Sequence, residues 1–194
     1  MIDETVEEIT EMQTHSSSVV AVKAARALAD LVEREFATVE EYERALARNA
    51  QALRRANPSH ASLHNAMTEV VEAVEDAAPA DVAAAKASTT DAIERVVDTI
   101  EAGKHEAATN AAAYLEDEQT ILTHDYSSTV LEAVEAATQD GKFLEAYVTE
   151  ARPRYLGRKT ARQLAAMDRV DTHLLTDAAA GYYMDRIDLI VVGM

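Results

Sequence analysis

A chain of 194 residues has room for one large domain or two small ones, each with a hydrophobic core. Its formal net charge of −17, from 35 Asp and Glu against 18 Lys and Arg, excludes nucleic acid held on a basic surface, because phosphate binding needs clustered cations. The absence of cysteine excludes disulfides, thiolate metal sites and cysteine nucleophiles.

The acids are spread along the whole chain rather than gathered in a tail, and only five of the cations are lysine. This reads as a surface adapted to high salt, where ions screen the self-repulsion; an ordinary acidic protein is the plainer alternative. No apolar run approaches the ~18 residues that span a bilayer. The start Met1-Ile2-Asp3-Glu4 lacks the positive region of a signal peptide. The expectation is a cytoplasmic protein without membrane contact, and no cofactor signature is read.

Residues 1–117 read as entirely helical. Apolar positions recur at helical spacing in Val20, Ala24, Ala27, Leu28 and Leu31, and again in Ile93, Val96, Val97 and Ile100. Thr38 followed by Glu41 is a capping-box start, and Asn57-Pro58-Ser59 and Ala78-Pro79 are the clearest breaks. Helices are predicted near 3–12, 17–36, 39–56, 59–77 and 80–116, the second opened by Ser16-Ser17-Ser18 as a cap. No Gly/Ser or Pro-rich linker and no repeat is present, and a domain boundary is expected near Glu116 to Glu118, giving domains 1–117 and 118–194.

The last third changes period. Short apolar strands are predicted at Ile121 to Thr123, Leu144 to Thr149, Thr172 to Thr176 and Asp188 to Val192, separated by amphipathic segments at 128–138, 158–167 and 178–185. Strands alternating with helices imply parallel strands with crossover helices, an open α/β sheet of expected order 3-2-1-4. In such a sheet ligands bind beyond the carboxyl ends of the strands where the order reverses, here between Thr123-His124-Asp125 and Gly193-Met194.

Several residues there carry candidate chemistry. Asp125 stands where a carboxylate could act as a base, with His124 as its partner; the plainer readings are a helix cap for Asp125 and one backbone hydrogen bond for His124. Arg152, Arg154 and Arg158 surround the loop from Glu150 to Gly157 and could hold a phosphate. Alternatively Arg152 pairs with Glu150 or Asp177 to pin the loop. His60 and His64 have the i, i+4 spacing for one metal ion, but no third ligand falls at a telling distance, so no metal site is assigned. Tyr182, Tyr183 and Met184 read as core and rim packing on the last helix.

The segment Ile121-Leu122-Thr123-His124-Asp125-Tyr126-Ser127-Ser128-Thr129-Val130-Leu131, followed by Val148-Thr149-Glu150-Ala151-Arg152-Pro153, Gly157-Arg158, Asp177-Ala178-Ala179 and Val191-Val192-Gly193, resembles the alpha/beta/delta subunit family of translation initiation factor 2B. That family also includes ribose-1,5-bisphosphate isomerase and methylthioribose-1-phosphate isomerase. The resemblance implies a helical N-terminal domain followed by a Rossmann-like α/β domain, here apparently shortened. Asp177 joins the three arginines as a candidate ligand-binding residue.

In the family's isomerases a cysteine follows the T-H pair, where this chain has Asp125. A catalytic aspartate follows a final V-G-A, where this chain reads Gly193-Met194. The family's R-G-A motif corresponds to Ser16-Ser17-Ser18, an arginine before the helical-domain proline to Asn57, and the glutamine of R-P-x-x-Q-G to Leu156. These isomerases move a proton between adjacent sugar carbons, which needs an acid, a base and cations for phosphate. The departures lead to the expectation of a non-catalytic regulatory or assembly protein. It would sense a nucleotide or sugar phosphate through the Arg152 region and form homo-oligomers or complexes with related initiation factor subunits. The alternative is a sugar-phosphate isomerase using Asp125 and His124, and a third reading is a shortened copy of a longer protein.

Overall fold

The computed structural model describes residues 2–11 and 16–193; the last residue of the helix predicted near 3–12, and Met194, lie outside them. The chain divides into two compact units, one ending at Ala102 and the other starting at Gly103.

The first unit is helical: α1 (Ile2–Glu11), α2 (Ser17–Ala27), α3 (Val39–Ala56), α4 (Ala61–Asp76) and most of α5 (Val82–Ala113). Thr38 starts α3 as its spacing from Glu41 predicts: its hydroxyl accepts from Glu41 N at 3.2 Å, while Glu41 Oε2 accepts from Ala37 N at 3.0 Å. Apolar stripes from these helices close on Leu28, Leu31, Leu46, Leu53, Leu63 and Met67, each at most 1% exposed. The helix predicted at 17–36 stops early, because α2 tightens into a 3-10 turn over Leu28–Leu31. That turn places residues i and i+3 in line, so Leu28 and Leu31 both enter the core. Ser16 occupies the N-cap of α2, but its side chain makes no capping bond and lies 3.2 Å from Ser18 Oγ instead.

The second unit holds β1 (Gln119–His124), α6 (Ser128–Gln139), β2 (Leu144–Thr149), α7 (Gly157–Leu164), β3 (Val170–Leu175), α8 (Ala180–Tyr183) and β4 (Leu189–Ile190). All pairings are parallel and the order is β3-β2-β1-β4, as the alternation of strands and helices predicts. One face of the sheet, carrying Ile121, Leu144, Ala146 and Val148, packs with Leu131 and Val134 of α6 and Ala161 and Leu164 of α7.

Two details differ from the sequence reading. The helix predicted at 178–185 is three short turns, with α8 between 3-10 turns at Asp177–Ala179 and Met184–Arg186, and none of its residues is buried. Tyr182 is 79% and Met184 42% exposed, which corrects the assignment of core packing: a run of one 3-10 turn, one α turn and another 3-10 turn has no continuous face to bury. β4 is two residues long rather than five, although Asp188 N and Val191 N still donate to the carbonyls of Thr120 and Leu122.

Candidate functional site

The strand ends of the second unit gather the residues that the sequence marks for chemistry. β1 ends at His124, and Asp125 turns the chain with φ +65°, a left-handed conformation that a short polar side chain tolerates. The carbonyl of Asp125 accepts from Thr160 Oγ1 of α7 at 2.7 Å, and Thr160 is buried. The cap of α6 is Ser127, whose Oγ accepts from Val130 N at 3.3 Å. This corrects the reading of Asp125 as the cap: the extra left-handed residue moves the cap two positions along and leaves the Asp125 side chain exposed. His124 makes a side-chain bond rather than a backbone one, with Nδ1 2.6 Å from Thr149 Oγ1.

β2 ends in a buried carboxylate. Glu150 has a side chain only 5% exposed; its Oε1 accepts from Arg152 Nε at 2.6 Å and its Oε2 from an Arg158 guanidinium nitrogen at 2.8 Å. The two arginines hold the Glu150 carboxyl below its usual range, Arg158 contributing most. Both guanidinium groups remain at least half exposed and flank the Tyr155 ring, at 4.2 Å for Arg158 and 5.6 Å for Arg152. Asp177, just past β3, accepts the backbone N–H groups of Ala151 and Arg152 at 2.8 Å each. Those bonds lower its pKa, with the charges of His124 and Arg152 adding to the effect. Of the two readings of Arg152, the structure contains the pinned loop: its side chain pairs with Glu150 and its backbone N–H donates to Asp177, while its side chain is 60% exposed.

Close approaches finish the site. A Cβ on Gly157 would lie 1.8 Å from the Thr149 carbonyl oxygen, so only glycine lets α7 start this close to the end of β2. A Cβ on Gly193 would lie 2.1 Å from Ser127 Oγ, which puts the segment after β4 against the start of α6, at the reversal of strand order. Lys159 Nζ sits 3.9 Å over the Tyr126 ring.

The structure therefore brings His124, Asp125, Arg152, Arg158 and Asp177 to one end of one sheet, with Arg154 on the same exposed loop. His60 and His64 lie in the helical unit, and no group of three potential metal ligands exists among the described residues. No helix among them is long and apolar enough to cross a membrane. The sequence reading missed Thr149, Thr160 and Gly157. The signal for Thr149 was the register of a parallel pair, which sets His124 opposite Thr149 with both side chains on one face. Cations with open faces, an imidazole and a carboxylate at strand ends beside a helix N-terminus can bind an anionic small molecule and move a proton on it.

The sequence profile of the Initiation factor 2 subunit family matches residues 13–194. A ribose 1,5-bisphosphate isomerase from Haloterrigena turkmenica is 34% identical over 97% of this chain and 57% of its own length. One from Haloferax volcanii is 33% identical over 97% of this chain and 58% of its own length. The crystal structure of translation initiation factor eIF-2B from Pyrococcus horikoshii OT3 superposes with a TM-score of 0.85 at 26% identity, covering 99% of this chain and 65% of that one. The chain thus spans less than two thirds of the length of these proteins. Six curated relatives, 27–34% identical over 97–100% of this chain, carry the same isomerase name. That finding overturns the expectation of a non-catalytic regulatory protein, which rested on single positions such as Asp125 rather than on similarity along the chain.

Proposed function

We propose, from the premise that this chain belongs to the Initiation factor 2 subunit family, that it carries the helical unit and strand-end site of a sugar-phosphate isomerase acting on ribose 1,5-bisphosphate or a close analogue. The observation that carries the reading is the site around Glu150. A buried carboxylate orients two guanidinium groups whose other faces remain open, an arrangement suited to a phosphate. Within reach of the same strand ends, His124 and Asp125 supply an imidazole and a carboxylate. Isomerisation removes a proton from one sugar carbon and returns one to its neighbour, so it needs two such groups and two anchored phosphates. His124 and Asp125 take the acid–base roles, Arg152 and Arg158 bind phosphate, and Asp177 holds the loop from which Arg152 extends.

The test is phosphorus NMR of ribose 1,5-bisphosphate incubated with this chain, followed by the Arg152→Ala, Arg158→Ala, His124→Asn and Asp125→Asn variants. Expected are conversion by the parent, weaker saturation in the arginine variants and a fall in turnover of about 10²–10⁴-fold when an acid–base group is removed. A parent chain that shows no conversion and no saturable binding of ribose 1,5-bisphosphate overturns the reading.

A cytoplasmic, oligomeric protein working at high salt belongs to the same proposal, supported by the acidic surplus of −17. Its melting temperature should rise steeply from low to molar potassium chloride as repulsion is screened. Light scattering at micromolar concentration should give a mass above that of one chain.

A further inference from the structure

Thr149 is the last residue of β2, paired in register with His124, and is only 3% exposed. Its hydroxyl has two neighbours: His124 Nδ1 at 2.6 Å and the Thr123 carbonyl oxygen at 3.5 Å. A contact of 2.6 Å between a ring nitrogen and a hydroxyl is a short hydrogen bond and requires one proton between the atoms. The hydroxyl owns a single proton. If it gave that proton to Nδ1, none would be left for the Thr123 carbonyl at 3.5 Å. If the ring donates from Nδ1, Oγ1 accepts that proton and directs its own toward the carbonyl, so both contacts are attractive. The β-branched side chain has little χ1 freedom on a strand, which keeps Oγ1 in place.

We propose that Thr149 is a positioning residue that fixes neutral His124 in the Nδ1–H tautomer and so leaves Nε2 as the basic nitrogen of the site. His124 is exposed, and Nε2 makes no hydrogen bond to any described residue. Thr149 is bonded to Nδ1, and the carboxyl of Asp177 responds to the charge on His124. A neutral imidazole that must take a proton from a substrate carbon needs its lone pair on the outward nitrogen, and the partner of the other nitrogen decides which one that is. The purpose of the device rests on the isomerase reading, whereas the tautomer does not.

The experiment is long-range nitrogen–proton correlation NMR of the uniformly nitrogen-15-labelled chain above the pH at which its imidazoles are neutral, with His124→Gln identifying the His124 signals. Expected are a pyrrole-type Nδ1 and a pyridine-type Nε2 in the parent, loss of that preference in Thr149→Val, and its recovery in Thr149→Ser. A pyridine-type Nδ1 in the parent overturns the proposal, as does an unchanged tautomer in a folded Thr149→Val. The parent spectrum decides even if the valine variant does not fold. Where the parent turns over ribose 1,5-bisphosphate, Thr149→Val should lower kcat by between about ten-fold and the 10²–10⁴-fold worth of a general base, with KM little changed. Absence of turnover with the expected tautomer would count against the isomerase reading alone.

Discussion

The two units treat buried polar groups in opposite ways. In the helical unit the buried polar residue among those described is Thr89, and it serves the core: Tyr42 donates to its hydroxyl at 2.8 Å and that hydroxyl donates to the Ala85 carbonyl at 2.9 Å. In the sheet unit Thr123, Thr149, Glu150 and Thr160 are all buried, and all four lie at the strand ends or at the start of α7 that faces them. A polar group inside a protein needs a partner. In the first unit the partners of Thr89 are internal and close its network, while His64 Nε2 on α4 is buried with no hydrogen-bond partner among the described residues. In the second, the network stops at His124, Arg152 and Arg158, which reach solvent. Buried polarity that ends on exposed cations and an imidazole marks a site, whereas buried polarity that closes on itself marks a core.

The largest expected effect breaks the helical side of this contrast. Leu53→Ala removes a fully buried side chain and should cost about 2–5 kcal/mol. Hydrogen exchange resolved by segment should show the loss in α3 and α4. Next comes Gly157→Ala, whose new Cβ meets backbone rather than a movable side chain and should cost about 1–3 kcal/mol. Here exchange should quicken in α7 and at the end of β2, and unchanged exchange there would show that α7 can slide away without loss.

Tyr42→Phe sharpens the comparison from the other direction. It deletes one internal hydrogen bond while Thr89 keeps its bond to Ala85, so about 0.5–1.5 kcal/mol is expected in thermal or denaturant unfolding. Substrate binding should not change.

The smallest effect is on pH. Glu150 and Asp177 have folded pKa values below their usual 4.5 and 3.8. A carboxyl whose pKa is depressed by folding contributes stability that is present above its unfolded value and disappears as pH falls through the folded one. Stability of the sheet unit should therefore begin to fall near pH 4.5 and continue downward, the arginine partners being too exposed for a large step. Glu132 on α6, lowered by Lys104 and His105, acts in the same direction, while Glu40 at the start of α3 is the corresponding group in the helical unit. Exchange measured from pH 6 to 3 should show the strand ends losing protection before α3 and α4.

Periodicity and short-range chemistry were enough for much of this molecule. The parallel order 3-2-1-4 followed from strands alternating with crossovers, the start of α3 from Thr38 and Glu41, and the pairing of Arg152 with Glu150 from their two-residue separation. Each of these is set by residues close in sequence or by a chirality rule that leaves few topologies. The tertiary structure decided what depends on register and on approach distance. The partner of His124 is Thr149, 25 residues away, because two parallel strands align those positions. The cap of α6 is Ser127 because Asp125 takes a left-handed turn held by Thr160. Tyr182 and Met184 face solvent because the turns that carry them never join into one helix. Sequence spacing contains the period of an element but neither the offset between two elements nor the gap between their backbones, and in this protein the orientation of the site's imidazole and the position of its arginines depend on those two quantities.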